Sequence, residues 1–272
     1  MQGSLGEKIG EGAMADIHAW APGQVLKLFK AAIPRWLGEY ETRMTRAVFA
    51  AGGPAPEVLG EVTLEGRYGI VLPRLDGPTL LQLLLTGAIA PEEAGAILAT
   101  LCMSVGKTPP PPDVLPLRDQ MDGALRSSGG TLPTHIATGI LPLIERLPPA
   151  EGLSHCDLHP ANVIMTAEGP RLIDWFAAKR GGAALDLACC HIILSDLVPQ
   201  SFGDPKRQRA LDAALQSDYA RQAGISPAAL TTAMEPYLPV MRVFVLIAGV
   251  VGRPATRRRL LQSIEADLRA ES

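Results

Sequence analysis

Apolar and polar positions along the 272 residues follow two regimes that change near residue 75. In the first, residues 9–20 set a glycine-rich turn between apolar stretches, and Gln24–Phe29 is a short β-compatible run. Residues 57–64 and 67–72 read as two strands around a Glu65-Gly66 turn. One helix interrupts them. Residues 35–51 carry Trp36, Tyr40, Met44, Ala47 and Val48 at helical spacing and stop at Gly52-Gly53-Pro54. In the second regime, residues 79–85, 91–105, 121–126, 135–146 and most of the chain after Asp186 read as helices, punctuated by prolines at 109–112 and 148–149. The pattern predicts an α+β protein. A β-rich N-terminal lobe, residues 1–75, joins a mainly helical C-terminal lobe, residues 76–272, through the segment 72–77.

Composition narrows the functional classes. With 47% hydrophobic and 19% charged residues the chain has material for a core and lacks the signature of disorder. The net charge of −3 gives no general reason to bind nucleic acid or an anionic membrane. The longest apolar run, 243–251, is too short to span a bilayer and reads as a buried helix. Four cysteines are too few for a disulfide scaffold. Together with a start that does not read as a secretory signal, this predicts a cytoplasmic protein.

The chemistry concentrates in His155-Cys156-Asp157-Leu158-His159-Pro160-Ala161-Asn162 and, after a hairpin turn near 168–170, in Leu172-Ile173-Asp174-Trp175. A loop presents Asp157 and Asn162, and the hairpin brings the chain back so that Asp174 lies nearby. Two carboxylates and an amide oxygen suit a base together with one or two Mg²⁺ ions, which prefer few hard oxygen ligands shared with substrate phosphates. A zinc site from His155, Cys156, His159, Cys189, Cys190 and His191 lacks chelating spacing. Gly106-Lys107-Thr108 lacks the upstream glycine of a P-loop, and Arg257-Arg258-Arg259 reads as a solvated helix face.

These residues resemble the catalytic and metal-binding loops of the aminoglycoside phosphotransferase and choline kinase group, which has the bilobal protein-kinase-like fold. The resemblance implies that Asp157 orients or deprotonates an acceptor hydroxyl, and that Asn162 and Asp174 hold the metal ions on the phosphates of ATP or GTP. It also implies that Asp186 steadies the catalytic loop from below. Upstream motifs follow in the order such an enzyme requires. Gly10 and Gly12 would cover the phosphates, and Lys27, which alone would read as an edge-strand lysine, would contact them. Glu39 and Glu41 are both candidate partners for Lys27. The family pattern places that glutamate about three helical turns before Gly52, which selects Glu41. Leu72 would line the back of the adenine pocket, the Pro73 carbonyl would accept from N6, and the Leu75 N–H would donate to N1. The motif series spans roughly residues 5–195.

Three departures mark this chain. Cys156 stands where the group usually has glycine, Gly181-Gly182-Ala183 replaces a Gly-Asp-Pro, and His159 occupies the place of a kinase lysine. Protein-kinase activity would call for an Arg at 156, an Asp-Phe-Gly triplet and a long activation segment, against Asp174-Trp175-Phe176 and a dozen residues to Asp186. A silent nucleotide-binding protein would have lost one of Lys27, Asp157, Asn162 or Asp174. The expectation is therefore a small-molecule O-phosphotransferase with a hydroxyl-bearing substrate.

Overall fold

The computed structural model describes residues 5–197, 204–249, 251 and 253–270. Strands β1 (Lys8–Glu11), β2 (Ala15–Ala19) and β3 (Gln24–Phe29) precede helix α1 (Arg35–Ala50), and β4 (Gly60–Leu64) and β5 (Arg67–Pro73) follow it. They form one antiparallel sheet in the order β1-β2-β3-β5-β4. The strand expected from residue 57 begins at Gly60. Pro54 and Pro56 lie just before it and supply no N–H to a ladder. Apolar residues on the two sheet faces build separate small clusters, Ala15, Phe29, Tyr68 and Ile70 on one and Leu26, Leu28 and Val71 on the other.

Helix α1 ends in a Schellman motif. Gly52 adopts φ 78°, its N–H bonds to the Phe49 carbonyl, and the Gly53 N–H bonds to the Val48 carbonyl. The buried face of this helix is not the apolar stripe expected from sequence. Trp36 is 65% exposed, whereas Glu41, Thr42 and Thr45 are buried beside Met44 and Val48. Polar groups occupy that face because it meets the cleft and the Tyr68 hydroxyl, which bonds to Thr42 at 2.8 Å.

The linker after β5 is pinned at Gly77. A Cβ there would fall 1.9 Å from the Met165 carbonyl oxygen. Only glycine allows the crossing that lets the Met165 N–H reach the Pro78 carbonyl at 2.9 Å. Helices α2 (Leu80–Thr86), α3 (Pro91–Lys107), α4 (Leu117–Ser127), α5 (Thr134–Gly139) and α6 (Leu141–Glu145) follow. Residues 135–146, expected as one helix, make two, because Pro142 has no amide hydrogen to continue the ladder.

Next come β6 (Leu153–Ser154), the hairpin β7 (Val163–Thr166) and β8 (Gly169–Leu172), and β9 (Lys179–Arg180), which pairs with β6. Helices α7 (Ala183–Ile192), α8 (Pro205–Ala223), α9 (Pro227–Met234), α10 (Tyr237–Ile247) and α11 (Pro254–Ala270) complete the fold. A single large core runs through this half, and Met44 and Val48 of α1 join it. Among the described residues no single helix is long and apolar enough to cross a membrane.

Candidate active site

A cleft of about 750 Å³ opens between the sheet and the helical half. All ten residues expected at the site line it: Gly10, Gly12, Lys27, Glu41, Leu72, Pro73, Leu75, Asp157, Asn162 and Asp174. They come from β1 and the turn after it, β3, α1, the end of β5 and the linker after it, the loop after β6 and the segment that follows the β7–β8 hairpin.

Strand β3 aims Lys27 inward, and its Nζ lies 2.5 Å from Glu41 Oε1 and also bonds to Asp174 Oδ1. Glu39, the other glutamate, is paired instead with Arg35 at 2.7 Å on the outer surface. Burial alone would lower the Lys27 ammonium, but the carboxylates of Glu41 and Asp174 outweigh it and keep the charge on. Burial likewise pushes Asp174 upward, and Lys27 more than reverses it, so Asp174 stays below the ordinary carboxylate range. Asp174 adopts φ 68°, a left-handed turn that aspartate tolerates better than most side chains.

The loop after β6 is held chiefly through its backbone. The Asp186 carboxylate, buried at the start of α7, accepts from the N–H of His155 at 3.0 Å and of Cys156 at 2.6 Å. His155 is neutral, since burial lowers its pKa to about 3. Its Nε2 bonds to the Ile173 carbonyl at 3.0 Å, and its Nδ1 accepts from the Asp157 N–H at 3.2 Å, a tautomer with the proton on Nε2. The ring ties the loop to the residue preceding Asp174 and packs edge-on against buried Trp175. Cys156 sits at φ 61°, where glycine would be unstrained.

Asn162 donates from Nδ2 to both the main-chain carbonyl and Oδ2 of Asp157, each at 2.9 Å. Its own carbonyl accepts from Ile173 at 2.9 Å. Burial, with Asp174 close by, lifts Asp157 to about 7 against the pull of the Asn162 bond. His159 Nε2 stands 3.5 Å from the same carboxylate, and burial lowers its pKa to about 4, so it is neutral too.

At the hinge, the Arg74 N–H donates to the Gly23 carbonyl at 2.8 Å. Pro73 ends β5 and Leu75 follows it, and both residues line the cleft. Sequence reading passed over two features of the site. The β6–β9 ladder is two residues long, too short for any period to register. Tyr40 is the other: it donates to the Ala178 carbonyl at 2.8 Å and ties α1 to the segment after Asp174.

For a divalent cation the donor set fits magnesium. Asn162 Nδ2 is committed to Asp157, leaving Oδ1 as the ligand atom, and Lys27 engages Oδ1 of Asp174. Among the described residues no three His, Cys, Asp or Glu side chains gather to hold a metal. Two hard oxygens completed by phosphate are what magnesium accepts.

Comparison with known proteins accords with this geometry. The model of the phosphotransferase enzyme family matches residues 22–227. That range begins after the glycine turn and extends past α7 into α9. Comparison with curated proteins finds no match to the sequence. Among solved structures, the ADP-bound aminoglycoside phosphotransferase APH(2'')-Ib superposes with a TM-score of 0.59 at 16% identity, covering 97% of this chain and 92% of that one. The GDP complex of aminoglycoside 2'-phosphotransferase-IIIa gives 0.59 at 13% identity over 99% and 94%. Choline kinase from Cryptosporidium parvum Iowa II gives 0.57 at 14% identity over 98% and 89%. The fold is thus the protein-kinase-like one, and the chain belongs to the phosphotransferase enzyme family.

Proposed function

We propose that the chain is a small-molecule kinase that moves the γ-phosphoryl of ATP or GTP to a substrate hydroxyl. The observation that carries this reading is the convergence of ten residues from six separate segments on one cleft, in the chain order such an enzyme requires. Residues 1–75 act as the nucleotide-binding lobe and residues 76–272 bring the catalytic loop and the acceptor. The ADP and GDP in the similar structures support a nucleoside phosphate in the cleft.

In this reading the adenine or guanine edge meets the Pro73 carbonyl and Leu75 N–H, with Leu72 behind it. The main chain of the Gly10–Gly12 turn covers the phosphates. Lys27, oriented by Glu41, neutralises phosphate charge. Asn162 and Asp174 would hold Mg²⁺, which when bound would offset the charge that builds on the phosphoryl oxygens. Asp157 accepts the hydroxyl proton as that oxygen bonds to phosphorus and the bond to the bridging oxygen breaks, releasing the nucleoside diphosphate. Its raised carboxyl, near 7, is matched to taking a proton at neutral pH. The retention of Lys27, Asp157, Asn162 and Asp174 disfavours a silent nucleotide-binding module. Four unpaired buried cysteines fit a reducing cytoplasm.

The test is release of nucleoside diphosphate from Mg²⁺·ATP and Mg²⁺·GTP across aminoglycosides, macrolides, choline, sugars and homoserine. Turnover that Asp157→Ala lowers by about 10³, with nucleotide binding retained, is the expected result. Equal turnover in that variant overturns the assignment.

A further inference from the structure

Helix α7 presents more than Asp186 to the catalytic loop. Asp186, Cys189 and Cys190 lie three and four residues apart and therefore share one helical face, and all three are buried. The Asp186 carboxylate takes the N–H groups of His155 and Cys156, just before Asp157. The Cys189 thiol meets that of Cys156. Cys190 Sγ donates to the main-chain carbonyl of Leu158, just after Asp157, at 2.9 Å. Both Cys190 and Leu158 are fully buried. Burial raises the Cys190 thiol well above its ordinary pKa, so it remains the S–H that can donate.

We propose that Cys190 is a positioning residue for phosphoryl transfer, fixing the backbone downstream of Asp157 as Asp186 fixes it upstream. The proposal rests on the reading of Asp157 as the base. The geometry is a two-point suspension: one helix face grips the chain on either side of a single reacting side chain. Without the downstream grip, the Leu158 carbonyl loses its donor in a place water does not reach, and the peptide between Leu158 and His159, next in the chain after the one that Asn162 holds through the Asp157 carbonyl, is free to rotate. Such a rotation shifts the chain that carries Asp157 and takes its carboxylate from the near-attack position, a geometric fault that lowers turnover and leaves Lys27, Glu41 and the Gly10–Gly12 turn, which come from the other half of the cleft, as they were.

The experiment compares Cys190→Ser, which keeps a donor, with Cys190→Ala, which is nearly the size of serine and loses it. Diphosphate release is followed from Mg²⁺·ATP or Mg²⁺·GTP, with the acceptor found in the screen or with water. Cys190→Ser should retain kcat within about twofold, while Cys190→Ala loses about tenfold in kcat and leaves the nucleotide KM unchanged. Equal kcat in Cys190→Ala and wild type, a loss in Cys190→Ser as large as in Cys190→Ala, or a change confined to KM overturns the proposal. Should Cys190→Ala fail to fold, the S–H stretching band of wild type that vanishes in Cys190→Ser decides. A frequency below that of a free thiol is expected, and a free-thiol frequency overturns the bond. A wild-type chain that turns over neither nucleotide defeats the functional reading instead, and the vibrational result still stands on its own.

Discussion

The two halves of the molecule hold their functional side chains by different means. In the sheet, Lys27 is flanked by clusters of only four and three buried residues, one on each face. What orients it is charge, from Glu41 on α1 and from Asp174 across the cleft. In the helical half, Asp157 sits in a backbone frame suspended from Asp186, His155 and Asn162 and anchored in the one large core. The difference separates two tasks. The lysine site is assembled from elements of both halves and depends on their alignment, whereas Asp157, the proposed base, is held within one half. Loss of a partner should therefore act on nucleotide affinity in the sheet half, and on folding and turnover in the helical half.

The sharpest way to break the comparison is Asp186→Ala. It leaves two buried main-chain N–H groups without their acceptor, at a cost of about 3 kcal/mol in unfolding free energy by denaturant titration. Turnover should fall with it. A variant as stable and active as wild type would show that the backbone frame does not depend on this carboxylate. In the sheet half, Lys27→Met removes the cation between two carboxylates. We expect about tenfold weaker nucleotide binding by calorimetry, with Asp157 geometry and any residual turnover retained. A loss confined to kcat would place Lys27 with the base and dissolve the distinction.

Acidity offers a third probe. Burial and the nearby Asp174 raise Asp157 to about 7, and only its ionised form takes a proton. As pH rises through that value the base form is gained, so kcat/KM for the acceptor should climb about tenfold per unit below pH 7 and level off above it. A profile already flat at pH 5 would mean that the Asp157 carboxyl is not held near 7 in the working complex. His155 and His159, held neutral by burial with pKa values near 3 and 4, contribute no titration in that window.

Much of this arrangement is legible in the residues. Strand β3 has the limits its apolar run announces, and the spacing of Asp157, Asn162 and Asp174 brings together side chains that meet in the cleft, with His155 buried beneath them. Legibility fails where a local pattern is overridden by what an element packs against. The apolar stripe of α1 includes Trp36, yet Trp36 stays exposed and Glu41, Thr42 and Thr45 share the inward side with Met44 and Val48, because that side borders charge as well as the core. Choosing Glu41 over Glu39 likewise needed the family pattern, since both stand on the same helix with equal chemistry. The ladder of β6 with β9 and the grip of Cys190 on Leu158 arise from contacts between distant segments, and composition carries no trace of them.

The smallest predicted effect sets the same backbone strain in each half against the other. Glu65 and Cys156 both adopt left-handed φ values, 52° and 61°, where a Cβ crowds the following carbonyl. Glu65 lies in the exposed two-residue turn Glu65-Gly66 between β4 and β5. Glu65→Gly relieves about 1–2 kcal/mol of strain and gives back about 0.4–1 kcal/mol through the freer unfolded chain, so it should stabilise by up to about 1 kcal/mol. Cys156 is buried in the frame around Asp157, and replacing it with glycine also sacrifices its contact with Cys189. The informative quantity is the difference between two substitutions at this position. Cys156→Ala loses the thiol and keeps the strain, while Cys156→Gly loses the thiol and relieves it, so the glycine variant should be the more stable by about 1 kcal/mol. At an ordinary strand or helix position the order is the reverse. Thermal melts of the two variants decide, and alanine outlasting glycine would mean that the loop, freed of its side chain, leaves the left-handed conformation altogether.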